Sequence, residues 1–161
     1  MPIYIKYGDI KGDVTAEGHK GSDGWVEVNS FQWGVGRGIS SPTGGSDDRE
    51  SSAPSISEIV VTKPMDVSSY RWLEEALTGE GVTATIDFCK TDKGTLETYA
   101  SYALTDCMVS GYSVSSGGDR PSESISINFT KVVYSYTAMT AKNEGGDSPK
   151  TGYDVAAGKK V

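Results

Sequence analysis

Alternation of apolar and polar residues at a period of two constrains this chain more than any other feature. Val82, Ala84, Ile86 and Phe88 interleave with Thr83, Thr85, Asp87 and Cys89. Ile125, Ile127 and Phe129 interleave with Ser124, Ser126, Asn128 and Thr130. Successive side chains on a strand point to opposite faces, so both segments read as strands with one buried face. More strands follow from β-branched and aromatic runs: Ile3 to Tyr7, Ser57 to Lys63, Leu96 to Leu104 and Cys107 to Ser115, with Asp106-Cys107 as a short join. The Ser122 to Tyr136 run reads as the longest strand, with a parity change that brings in Val132, Tyr134 and Tyr136. Between Trp25 and Trp33 the alternation slips, and a β-bulge near Asn29-Ser30 would return Val26, Val28, Phe31 and Trp33 to one face. Tyr153-Asp154-Val155 suits a last short strand or an extended arm.

One segment has the helical period instead. Trp72, Leu73, Ala76 and Leu77 form an apolar stripe behind Ser69 as N-cap, and Gly79 and Gly81 end it as residues able to turn left-handed. So short a helix needs its Trp72/Leu73 side docked on a sheet. About seven or eight strands and one helix predict a mainly β fold, a small β-barrel or two curved antiparallel sheets with one α-helix packed at the side. At 161 residues the chain suits a single domain over 1–161. Two stretches interrupt the pattern: a polar, Gly-rich loop at about 34–55 and a polar C-terminal segment at about 137–161. A loop that long is expected to be functional or ordered by a partner.

Charge removes several functions. Against 22 Asp and Glu stand 15 Lys and Arg, a net charge of −7, and no basic cluster exceeds Lys159-Lys160. Nucleic acid and anionic membrane surfaces are therefore not expected partners. A membrane-spanning helix needs about 20 consecutive apolar residues, and the longest aliphatic run is Ile59-Val60-Val61. The first residues do not read as a secretory signal. Cys89 and Cys107 are too few for a disulfide framework and read as free thiols.

Catalytic chemistry finds little support. His19, the one histidine, lies in a Gly-containing loop and reads as solvated. No Gly-x-Ser-x-Gly elbow accompanies it, because Gly111-Tyr112-Ser113-Val114-Ser115 lacks the second Gly. Cysteines eighteen positions apart offer no zinc spacing, and Asp47, Asp48 and Glu50 have no EF-hand pattern around them. Gly34-Val35-Gly36-Arg37-Gly38 begins like a dinucleotide motif but opens no helix. The strand aromatics read as core or cross-strand pairs rather than a sugar platform. No catalytic residue, cofactor or metal is expected. A β protein of this kind leaves sheet edges to be covered, and head-to-tail copies closing into a ring would cover them.

Several stretches, in order, resemble a known family. They are Ile3-Tyr4-Ile5-Lys6-Tyr7-Gly8-Asp9-Ile10-Lys11-Gly12, Val28-Asn29-Ser30-Phe31-Gln32-Trp33-Gly34 and Val60-Val61-Thr62-Lys63-Pro64-Met65-Asp66. Further along come Ser110 to Ser115, Asp119-Arg120-Pro121-Ser122-Glu123-Ser124 and Ile127 to Val132. Gly152-Tyr153-Asp154 before Lys159-Lys160 resembles the closing segment, where the family more often has Trp at the place of Tyr153. The chain is similar to the haemolysin-coregulated protein (Hcp) family, the tube subunit of the bacterial type VI secretion system. The resemblance implies homo-hexameric rings that stack into a tube inside a contractile sheath, partnered by spike proteins and carrying effector cargo. It implies a protein made in the bacterial cytoplasm and exported without a cleavable signal. It makes Ser30 and Gln32 candidates to face the lumen and cargo, and the loop with Gly38, Asp47, Asp48, Arg49 and Glu50 the candidate ring contact. A phage-like tail-tube protein, a tube-derived effector with enzyme activity and a non-catalytic binding module, such as one for carbohydrate, are the alternatives. The roughly 25 residues after Tyr136 are too few for an added catalytic domain.

Overall fold

The structure is a computed structural model, and it describes residues 1–39, 53–137 and 149–161. Its strands are β1 (Ile3–Tyr7), β2 (Trp25–Val28), β3 (Ser30–Gln32), β4 (Val35–Gly36), β5 (Ser55–Ile56), β6 (Ile59–Pro64), β7 (Val82–Asp92), β8 (Thr95–Ser115), β9 (Ser122–Asn128), β10 (Lys131–Tyr136), β11 (Lys150–Asp154) and β12 (Lys159–Lys160). The helix α1 spans Ser69–Thr78 and sits between β6 and β7 in the chain. Two curved antiparallel sheets result, with β4 and β5 paired apart from them as a two-stranded ribbon. The first runs β12-β11-β10-β8-β7-β1-β2, and the second runs β3-β6-β9-β8.

Strand β8 belongs to both sheets. Its first half pairs with β7 and β10, its second half with β9. The expected break at Asp106-Cys107 is instead a bend inside one 21-residue strand. Asp106 takes φ 54°, a left-handed backbone that Asp tolerates better than most residues, and this turns the strand from one sheet to the other. The Ser122–Tyr136 run, expected as the longest strand, is divided at Phe129-Thr130 into β9 and β10. At Asn29 the second strand is interrupted as expected: Asn29 N donates to Thr62 O at 2.6 Å while Ser30 stands opposite the same Thr62. Two residues facing one are the signature of a bulge, and Val26, Val28, Phe31 and Trp33 all reach the core.

That core lies between the sheets. Ile5, Val26, Ile59, Val61, Ile86, Ile125 and Ile127 are fully buried, each stabilising by about 1.5–3 kcal/mol. Phe31, Trp33 and Phe88 gather around Tyr102, with Phe31 at 5.1 Å and Trp33 at 5.5 Å from its ring. Both cysteines are free and buried, in line with the expectation from their number.

The helix departs from its expected docking. Trp72 is fully buried beside Tyr7 and Ala76 is half-buried, but Leu73 and Leu77 face water. Positions on a helix turn by about 100° per residue, so seating the Trp72–Ala76 row rotates Leu73 and Leu77 outward. The cap differs too. The N-cap position is Ser68, one residue before the expected Ser69, and it makes no side-chain capping bond; Asp66 Oδ1 accepts from Ser68 N at 2.8 Å in the turn that leads into the helix. Gly79 is extended rather than left-handed, with φ −65°. It is needed because a Cβ there would stand 2.5 Å from Glu75 O.

Candidate functional site

His19 is not a solvated loop residue. It is 8% exposed, stacks on Tyr4 at 4.9 Å and meets the Trp25 ring edge-on at 4.4 Å. Its Nε2–H donates to Asp87 Oδ2 at 2.8 Å, and Ser101 Oγ donates to the other carboxylate oxygen. Cys89 Sγ lies 3.8 Å from the same Nε2. A nucleophile-activating triad divides its partners between two imidazole nitrogens. Here one nitrogen meets them all, and Nδ1 is buried without a partner. Burial pushes the Cys89 thiol up, against a lowering hydrogen bond from Thr98, so the thiol stays protonated. The histidine is a fastener that holds the loop between β1 and β2 onto the first sheet. Among the described residues no group of three or more His, Cys, Asp or Glu side chains is arranged to hold a metal ion.

The distinctive surface is the outer face of the second sheet. Parity assigns it: Ile59, Val61 and Lys63 on β6 and Glu123, Ile125 and Ile127 on β9 point inward and are buried. The alternate residues therefore point out, and the register aligns them in rows. Gln32, Val60, Ser126 and Gly111 form one row. Ser30, Thr62, Ser124 and Ser113 form the next, and Pro64, Ser122 and Ser115 the third. None of these residues carries a charge. Ser30 and Thr62 hydroxyls meet at 2.5 Å across β3 and β6. Acid appears at one end, where Ser110 Oγ donates to Glu58. The expected lumen residues Ser30 and Gln32 are thus brought together on one exposed, neutral, hydroxyl-lined sheet.

Directly behind this face lies a buried ion pair. Lys63 Nζ stands 2.5 Å from Glu123 Oε1 and 3.0 Å from Asp66 Oδ1, and the Lys63 and Glu123 side chains are both 0% exposed. Ser69 Oγ donates to Glu123 Oε1 at 2.8 Å, and Tyr112 Oη donates to Oε2. Burial, then the bond to the Glu123 carboxylate, raises the Tyr112 phenol and keeps it a donor. This network ties β6, β8 and β9 to the first turn of α1.

The candidate ring-contact residues divide. Gly38 is exposed near the root of the loop, and that root is fastened by the β4–β5 pairs Val35↔Ile56 and Gly36↔Ser55. Ser57 adds bonds from its N–H and its hydroxyl to Gly34 O. Asp47, Asp48, Arg49 and Glu50 lie outside the described residues.

Residues 4–136 match the family described as type VI secretion system effector, Hcp. The chain belongs to the Hcp family. Solved structures agree. One described as a type six secretion system protein has a TM-score of 0.88 at 27% identity, covering 99% of each chain. Hcp1 from Salmonella typhimurium has a TM-score of 0.74 at 21% identity, covering 99% of this chain and 98% of its own. A type VI secretion system effector from Yersinia pestis has 0.73 at 21%, covering 95% and 99%. No curated protein matches the chain. Hcp membership makes this a component of a type VI secretion apparatus, of the tube-protein kind. Among the described residues no helix is long and apolar enough to cross a membrane.

Sequence reasoning missed two features of this Hcp chain. Lys63 shares parity with Ile59 and Val61, and Glu123 with Ile125 and Ile127. An inward lysine opposite an inward glutamate was therefore a readable sign of a buried pair. The docking of His19 on Tyr4, Trp25 and Asp87 had no comparable sign, because its anchoring bond joins the loop to Asp87 on β7, 68 residues away.

Proposed function

We propose that residues 1–161 act as one tube domain that assembles into hexameric rings, with the outer face of the second sheet lining the channel. Rings stack into the secretion tube inside a contractile sheath, meet spike proteins at its end, and hold effector cargo against Ser30 and Gln32. The observation that carries this reading is the exposed four-strand face without charge, in a chain whose net charge is −7. A free monomer gains solubility from charge on its surface, whereas a channel wall over which cargo must move gains from weak contact. The work is done by interfaces, without catalysis, cofactor, nucleic acid or membrane insertion. The protein leaves the cytoplasm through the apparatus it forms. The loop rooted at β4–β5, with Gly38, Asp47, Asp48, Arg49 and Glu50, is assigned to contact with the neighbouring ring.

Light scattering after size exclusion, with negative-stain images of the peak, tests the assembly. Six copies of the 17.1 kDa chain give about 103 kDa. A ring with a central hole at that mass is expected. A 17 kDa monomer at high concentration, together with glycan binding, would replace this reading with the binding module.

A further inference from the structure

We infer that the outer face of the second sheet holds cargo without selecting its charge, by short-lived hydrogen bonds from an array of hydroxyls. The inference rests on the proposed channel-lining role of that face and adds what kind of partner it accepts: a protein with a polar surface of either sign. Each Ser or Thr hydroxyl both donates and accepts, and it rotates to suit its partner. Thr62 and Ser124 stand side by side at the centre of the face, with Ser30 and Ser113 on their flanks. Such short side chains lose little conformational freedom on contact. The network formed by Lys63 and Glu123 lies on the opposite side of the same strands, where its charges are paired and fully buried. Glu58 at the margin is engaged by Ser110. A partner sliding over the centre of the face therefore meets hydrogen-bonding groups and no fixed charge. Attraction of this kind responds little to salt, unlike contact between exposed charges.

The test places an environment-sensitive dye on the face. Cys89 and Cys107 are buried, so Ser124→Cys provides the accessible thiol; Ser113→Cys repeats the experiment from the adjacent strand should the first variant not assemble. Rings are verified by native mass before use. An anti-dye antibody, too large for a channel of this kind, and iodide ion, small enough to enter, report where the dye lies. Antibody binding to the intact ring would overturn the channel-lining role itself. With the dye shielded from antibody and quenched by iodide, rings are titrated with lysozyme and α-lactalbumin, two proteins of similar size and shape and opposite charge. Affinities at the face are expected to agree within about threefold and to change by less than about threefold between about 50 and 500 mM salt, a range over which the screening length shortens severalfold. Rings carrying Thr62→Glu should then favour lysozyme, and rings carrying Thr62→Lys should favour α-lactalbumin, each by about tenfold or more at low salt. A preference of tenfold on the unaltered face, a loss of binding with salt, or no binding of either protein would overturn charge-indifferent holding while leaving the antibody result, and the channel-lining role, intact.

Discussion

Replacing Lys63 by Met removes one half of a fully buried ion pair. The Glu123 carboxylate would keep its bonds from Ser69 Oγ and Tyr112 Oη but lose the cation 2.5 Å away, in a site with no access to water. Breaking such a pair from one side costs about 3–5 kcal/mol. A domain of this size is stable by about 5–15 kcal/mol, and each kcal/mol moves the midpoint by about 2–4 °C. Lys63→Met should therefore lower the melting temperature by about 6–20 °C. The paired change Lys63→Met with Glu123→Leu behaves differently, because it removes both desolvated charges and fills their volume with apolar atoms. Its residual cost comes from Asp66, which loses the lysine 3.0 Å away, and from the Ser69 and Tyr112 hydroxyls, each left without its carboxylate acceptor at about 1–3 kcal/mol. Adding Tyr112→Phe should recover part of that. Urea unfolding followed by the fluorescence of buried Trp72, at fixed protein concentration, measures all of these variants. The reasoning fails if Lys63→Met costs under about 1 kcal/mol, or if the double variant loses as much as the two single changes added together.

Three more outcomes follow from other parts of the molecule. His19→Ala removes two ring contacts and leaves Asp87 Oδ2 without its hydrogen-bond donor, so a loss of about 2–4 kcal/mol is expected, with faster amide exchange at Gly12 and Gly21, whose backbones bond each other; unchanged exchange would show that His19 does not fasten the loop. Burial pushes the Cys107 thiol up from 9.0 to about 12 and raises that of Cys89 as well. Above pH 9 the unfolded chain sheds these protons and the folded chain keeps them, so stability falls with rising pH by up to about 1.4 kcal/mol per unit per thiol. Cys107→Ala should make the slope between pH 9 and 10 shallower, the raised phenols of Tyr4, Tyr7, Tyr102 and Tyr112 and the Cys89 thiol supplying what remains, and an unchanged slope would refute the assignment. Finally, Arg49→Glu in the loop assigned to ring contact should leave ring mass unaltered and suppress stacking in negative stain; normal stacking would remove Arg49 from that interface.

Most of the architecture was legible because period-two patterning reports directly which face of a strand is buried. Ile59/Val61 and Ile125/Ile127 sit where their alternation puts them. Errors arose where one residue redirects the backbone. Asp106 lets β8 continue through a left-handed position, and local residue preferences read that position as a break. The helix was placed correctly and its rotation was not. Trp72, Leu73, Ala76 and Leu77 make one broad stripe, and only the partner surface decides which edge docks; Tyr7 chose the Trp72 edge. Ser30 and Gln32 were named from family resemblance and strand parity, but the neutral face they belong to needed the register of four strands.

The two sides of the second sheet explain each other. Ser, Thr and Gly on the outer rows provide little cross-strand packing, and Gly111 offers no side chain at all. A sheet with such a face must take its rigidity from the other side. There, Ile59, Val61, Ile125 and Ile127 supply apolar burial, and Lys63 with Glu123 ties β6 to β9 and, through Ser69, to the start of α1. A buried ion pair contributes little net stability compared with apolar residues of the same size. Its geometry is nevertheless directional, because each Lys63 and Glu123 partner sits at a defined angle and distance. Strand register is what such contacts hold best, and a one-residue slip would turn every outward hydroxyl into the core. The charged pair on the inside is therefore what allows the outside to stay small, polar and uncharged.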